Sequence, residues 1–104
     1  FRLLTVFERL RELDREVPGQ VVSCFLFIAS HNPCHKEALE EDLGFTTASS
    51  SRNIDWLSKH HRLNKPGMDL VIKQRDPKNG RRLILKLSPK GEDLAKQLKL
   101  DLYD

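Results

Sequence analysis

The chain is 104 residues long, 38% hydrophobic and 32% charged, with a formal net charge of +3. That length predicts one domain with one modest core, and the composition fits a soluble globular class. The longest apolar stretch, 21–29, is interrupted by Ser23 and falls far short of the ~20 residues that cross a bilayer. Phe1 is not an initiator methionine and stands directly in a helical pattern, as in a fragment or processed chain; no signal peptide is read. Two cysteines, Cys24 and Cys34, are too few for a disulfide framework and predict reduced thiols in a cytoplasmic protein. The charge is unevenly spread. From Lys59 to Lys90 ten Lys or Arg face two acids, Asp69 and Asp76, so this segment carries +8 and the remainder −5. A basic segment on an acidic body suits a polyanion-binding face; a solvated, Lys-rich strand pair is the plainer alternative.

Leu3, Val6, Phe7, Leu10, Leu13 and Val17 recur every three or four residues. This spacing predicts an amphipathic helix over about 2–16, stopped by Pro18-Gly19. The next segment, about 20–31, is apolar on nearly all sides and is expected to be the buried central helix, ended by Asn32-Pro33. A short helix follows at about 35–43, with Ala38, Leu39 and Leu43 turned inward and Gly44 placed for a left-handed C-terminal turn. Thr46 reads as the N-cap of a helix over about 47–61 that buries Ile54 and Leu57. Two helices joined by a Gly turn make a helix-turn-helix pattern. The period then changes. Residues 70–75 and 83–87 read as strands, and Asn79-Gly80 between them signals a hairpin over about 69–87 with a basic tip. Ser88 and Pro89 open a last helix, about 89–102, as N-cap and first helical residue. The expected class is mainly α with a β-hairpin wing (α+β), a winged helix-turn-helix.

At the wing the sequence Asn79-Gly80-Arg81-Arg82-Leu83-Ile84-Leu85-Lys86-Leu87-Ser88-Pro89-Lys90-Gly91 resembles the signature of the MarR family of transcription regulators. That signature reads D-x-R, five variable positions, then L-T-x-x-G. Arg81, Leu87 and Gly91 match it; Ser88 replaces Thr and keeps the capping oxygen; Asn79 replaces the Asp that in the family helps hold the wing Arg. Residues 34–57 align without a gap to the family's helix-turn-helix. About eight residues, 61–68, are inserted before the wing, and the chain is shorter than a typical member. The resemblance covers roughly 20–100.

The resemblance implies a homodimeric regulator of double-stranded DNA, built on the terminal helices. Residues near the start of a recognition helix read base edges in the major groove. Here those are Thr47, Ala48, Ser49, Ser51 and Arg52, with a mere N-terminal capping region as the bland reading. The wing would bring Lys78, Arg81 and Arg82 to the flank, against a reading of simple solvated turn charges. Lys59, Arg62 and Lys65 are candidates for further phosphate contacts. A small-molecule effector is compatible with the resemblance, but no residue is assigned to it. The protein is expected in the cytoplasm, at the nucleoid when bound to DNA.

No enzyme constellation is read: no nucleophile with a spaced base, no phosphate-binding Gly loop, no paired carboxylates in an apolar setting. No cofactor or metal is expected, since His31, Cys34 and His35 match no structural zinc spacing; His35 is expected to cap the helix it opens. Trp56 stands where the family is usually polar and is expected to pack under the inserted loop. Two other jobs remain open: a winged helix of replication, partition or recombination, and a protein-interaction winged helix anchored by Trp56.

Overall fold

The computed structural model describes residues 1–61 and 65–104. In chain order the elements are α1 (Arg2–Leu13), α2 (Gly19–Ser30), β1 (Cys34–His35), α3 (Lys36–Leu43), α4 (Thr47–Leu57), β2 (His60–His61), β3 (Lys65–Pro66), β4 (Val71–Arg75), β5 (Leu83–Leu87) and α5 (Pro89–Tyr103). β1, β5 and β4 form an antiparallel sheet in that order, and β2–β3 is a separate short ribbon. This is the α+β winged helix expected from the sequence.

α2 sits at the centre. Its Val21, Val22, Cys24, Phe25, Phe27 and Ile28 are buried, and it packs against α3, α4, α5 and β5. The local capping chemistry works as read. Thr46 Oγ1 accepts from the Ser49 N–H at 3.1 Å, and Ser88 Oγ accepts from the Gly91 N–H at 2.9 Å. Each satisfies an amide that the first helical turn leaves without a partner. Gly44 closes α3 with φ 68°. On the same helix Leu39 is buried but Ala38 is exposed, against expectation. The expected hairpin forms, with Val71 opposite Leu87 and Arg75 opposite Leu83. Its loop is longer than the Asn79-Gly80 pair, closing through Asp76 N–H to Arg82 O at 2.9 Å.

Two helix ends differ from the periodic reading. α1 stops at Leu13, not near 16, because Asp14 turns extended and its Oδ1 accepts the Glu16 N–H at 3.0 Å. α4 stops at Leu57 rather than running to 61. The returning chain supplies the reason: Met68 N–H and Leu70 N–H donate to the carbonyls of Trp56 and Leu57 at 3.0 and 2.8 Å, taking acceptors that a further helical turn would use.

α1 and α5 pack together. The Arg9 guanidinium grips the Asp101 carboxylate in a fork, with Nη2 donating to Oδ1 at 3.1 Å and Nε to Oδ2. Paired bonds of this kind are stronger than a single neutral one. Several apolar side chains of the helix pair stay exposed: Leu3 is 60% exposed, Leu4 59%, Leu100 51% and Tyr103 78%.

The carboxylates impose a pH dependence on folding. The hydrogen bond from Arg9 holds Asp101 below its ordinary 3.8. His35, and then the Lys78 N–H, do the same for Asp76. A carboxyl whose folded pKa is depressed adds stability above its ordinary value and loses it as pH falls through the folded one. Urea midpoints are therefore expected to fall steeply below pH 3.8, and Asp101→Asn should flatten that fall while lowering stability at neutral pH. An unchanged acid slope in the variant would show that the Arg9–Asp101 pair is not formed in solution.

Candidate nucleic-acid interface

α4 is braced from inside by polar groups that sequence periodicity passes over. Ser50 and Asn53 lie on the same buried side of α4 as Ile54 and Leu57. Ser50 Oγ meets the Glu40 carboxylate of α3, and Lys36 Nζ donates to that carboxylate at 2.6 Å. Burial pushes Glu40 up, but the bonds from Lys36 and Ser50 outweigh it and hold the carboxyl below its usual value. From α2, Gln20 Oε1 accepts from Asn53 Nδ2 at 3.1 Å and from Ser49 Oγ at 3.2 Å. Two helices thus hold α4 through its polar side. The legible signal was a Ser and an Asn three apart on an otherwise apolar stripe, since buried polar atoms are almost always partnered.

What α4 offers outward is narrower than the sequence set. Thr47, Ala48 and Arg52 are exposed and Ser51 is half-buried. Ser49 is half-buried and spends its hydroxyl on Gln20, so it supports the helix. Further along, the Asp55 carboxylate takes Lys73 Nζ of β4 at 2.8 Å, which ties the helix to the wing strand and neutralises one of the segment's cations.

The wing tip is a seven-residue loop held by its own carboxylate and amide. Asp76 Oδ1 accepts the Lys78 N–H at 2.9 Å, and Asn79 Oδ1 accepts the Arg81 N–H at 3.2 Å. Asn79 therefore orders the backbone of Arg81, and Arg81 and Lys78 are both exposed. Arg82 departs from the expected tip position. It is half-buried, with Nε 3.7 Å from Glu37 Oε1 at the start of α3, and this Nε has no hydrogen-bond partner among the described residues. His35 caps nothing with its side chain; its Nε2 meets Asp76 Oδ2 at 3.0 Å, joining the wing loop to the residue before α3. Lys59 and Lys65 are exposed at the far end of α4. Arg62 lies outside the described residues.

Trp56 packs as expected on the inserted segment, edge-on to His61 with ring centroids 4.8 Å apart. Its indole N–H also reaches Asp14. Burial pushes the Cys24 thiol up to about 11 and raises Cys34 as well, the opposite of what a reactive thiolate needs.

No family model and no curated protein sequence matches this chain. Solved structures do match its shape. The PcaV transcriptional regulator from Streptomyces coelicolor, in complex with its natural ligand, superposes with a TM-score of 0.67 at 18% identity over 97% of this chain and 67% of that one. The S. aureus MepR–DNA complex gives 0.74 at 14% identity, over 95% of this chain and 74% of that one. The structure of MarR gives 0.63 at 18% identity, over 95% and 71%. This is the MarR-type winged-helix fold. In the MarR-type arrangement α3–α4 is the helix-turn-helix and β4–β5 the wing. The chain spans about two thirds of the length of these matched structures. Among its described residues no helix is long and apolar enough to cross a membrane.

Proposed function

We propose that this protein binds double-stranded DNA in a sequence-specific way, as a MarR-like transcription regulator without enzymatic activity. The observation that carries the reading is the pairing of two surfaces on this fold: the start of α4, with Thr47, Ala48 and Arg52 exposed and Ser51 half-buried, and the wing tip, with Lys78 and Arg81 exposed. Small side chains at the helix start allow close approach to base edges, and an arginine can donate twice to guanine. The wing cations serve phosphates or the narrow minor groove. Arg82, Lys59 and Lys65 are assigned supplementary phosphate contacts. The DNA complex of MepR supports the reading by analogy of fold. Selection of bound duplexes from a random pool tests it: a defined motif is expected, and a pool that stays random would overturn sequence-specific binding.

The exposed leucines and Tyr103 of α1 and α5 support a symmetric homodimer. Burying a leucine contributes about 1.5–3 kcal/mol, so several covered together sustain association. A two-fold dimer reads a pseudo-palindrome. Sedimentation at micromolar concentration should show a dimer, and Leu4→Glu with Leu100→Glu a monomer that loses affinity for the full site. Equal sedimentation of the two proteins would remove α1 and α5 from the interface.

A further inference from the structure

The inserted segment does more than connect α4 to the wing. It is stitched to the end of α4 and the two residues after it by backbone bonds from Gly67 N–H to Lys59 O (3.0 Å), Met68 N–H to Trp56 O (3.0 Å) and Asp69 N–H to Ser58 O (3.3 Å). The fit is close enough to demand glycine: a Cβ on Gly67 would lie 1.7 Å from Ser58 O. Asp69 adopts φ 58° to complete the return. His61 then stands against the edge of the Trp56 ring.

Trp56 is also tied to Asp14, the C-cap of α1. Its Nε1–H donates to Asp14 Oδ2 at 2.5 Å, across 42 residues of sequence. Asp14 ends α1 and uses its second oxygen on the Glu16 N–H, so the carboxylate is oriented from both sides. α1 is in turn locked to α5 by Arg9 and Asp101. A continuous connection therefore runs from α5 through α1 to the C-terminal turn of α4, the end opposite Thr47.

We propose that Trp56 and Asp14, with the β2–β3 insertion behind them, are positioning residues that set the angle of the reading helix relative to the α1–α5 pair, and thereby the half-site spacing that the dimer selects. This rests on the dimeric DNA reading above. In a two-fold dimer the α1–α5 pair is the fixed frame, and one base pair of spacing turns a half-site by about 35°, given 10–10.5 pairs per turn. α2 and α3 hold α4 through Ser49, Ser50 and Asn53, and the Trp56–Asp14 bond adds a directed tie from its C-terminal turn to the end of α1, which opposes such rotation. Without the bond, α4 keeps its ties to α2 and α3 but loses this one to the α1–α5 pair, and the helix-turn-helix follows neighbouring spacings more readily.

Trp56→Phe keeps an aromatic ring beside His61 and removes the donor; Asp14→Ala removes the acceptor. Residual dipolar couplings along α1 and α4 of the free protein report the angle between the helices without DNA. Binding to duplexes with half-sites one base pair closer or farther reports spacing. In both variants the interhelical angle should change, and the preference for the best spacing over its neighbours should drop by on the order of fivefold, with affinity for a single half-site kept within about twofold. An unchanged angle overturns the tie, and an unchanged spacing preference overturns its role in DNA selection. If the wild type binds no duplex, the DNA reading and the spacing role fall together, while the angle still shows whether the tie exists.

Discussion

Gly91→Ala is expected to cost about 3 kcal/mol of folding stability or more. An added Cβ would lie 2.1 Å from the carbonyl oxygen of Leu70, a backbone atom that cannot rotate aside. Leu70 is fully buried, and its N–H and C=O are engaged by Leu57 and by the Ser88 N–H. Relief of the clash must therefore pull the start of α5 away from the entry of β4. Overpacking against rigid structure costs about 1–3 kcal/mol, and strain on the Ser88 cap about another 1. The Ser88 Oγ bond to Asp69 O at 2.7 Å would be lost as well, at about 1 kcal/mol. The helical preference of Ala over Gly returns only about 1 kcal/mol. Gly80→Ala is the matched control, since nothing lies within 4 Å of its Cβ position, and its effect should stay within about 0.5 kcal/mol. Urea denaturation of the two variants decides the matter. Equal midpoints would mean that α5 does not meet β4 in this way.

The second large effect separates charge from base reading. Arg52→Ala should erode preference at one base position by about 1–3 kcal/mol and leave the salt dependence nearly unchanged. Arg81→Ala should weaken binding to all duplexes and flatten the salt dependence. Each lost phosphate neutralisation removes about 0.9 from the slope of log affinity against log salt, or about 1.8 for a dimer. The geometry makes the two comparable, because both side chains are exposed. It also distinguishes Arg81 from Arg82, whose guanidinium leans on Glu37; Arg82→Ala should change the slope less. Binding of selected and scrambled duplexes across a salt series is the measurement. If Arg81→Ala alters neither affinity nor slope, the hairpin does not touch DNA.

Much of this molecule was legible because its determinants are local. The Thr46 and Ser88 caps, the left-handed Gly44 and the 3.6- and 2-residue periods act over a few neighbouring positions, so they can be read off adjacent letters. α2 could be recognised as central because a helix that is apolar all round has nowhere else to go. The wing signature reached as far as Arg81, Leu87 and Gly91. The reason for glycine at 91 was out of reach, since it is the carbonyl of Leu70, 21 positions away.

Tertiary structure decided which polar side chains face outward and which hold the frame. Ser49 and Arg52 are both polar residues in the first half of α4, yet only the crossing of α2 turns Ser49 toward Gln20 and leaves Arg52 in solvent. Arg81 and Arg82 are adjacent in sequence, yet the folded wing loop leaves one exposed and brings the other to α3. The end of α1 is turned locally, by Asp14 onto the Glu16 N–H, but the end of α4 was set by partners about a dozen residues distant, Met68 for Trp56 and Leu70 for Leu57. A helical period extrapolates until something stops it, and for α4 the stop comes from another part of the chain. Hydrogen bonds between distant side chains depend on helix crossing angles to within an ångström, and those angles arise only when the whole core packs.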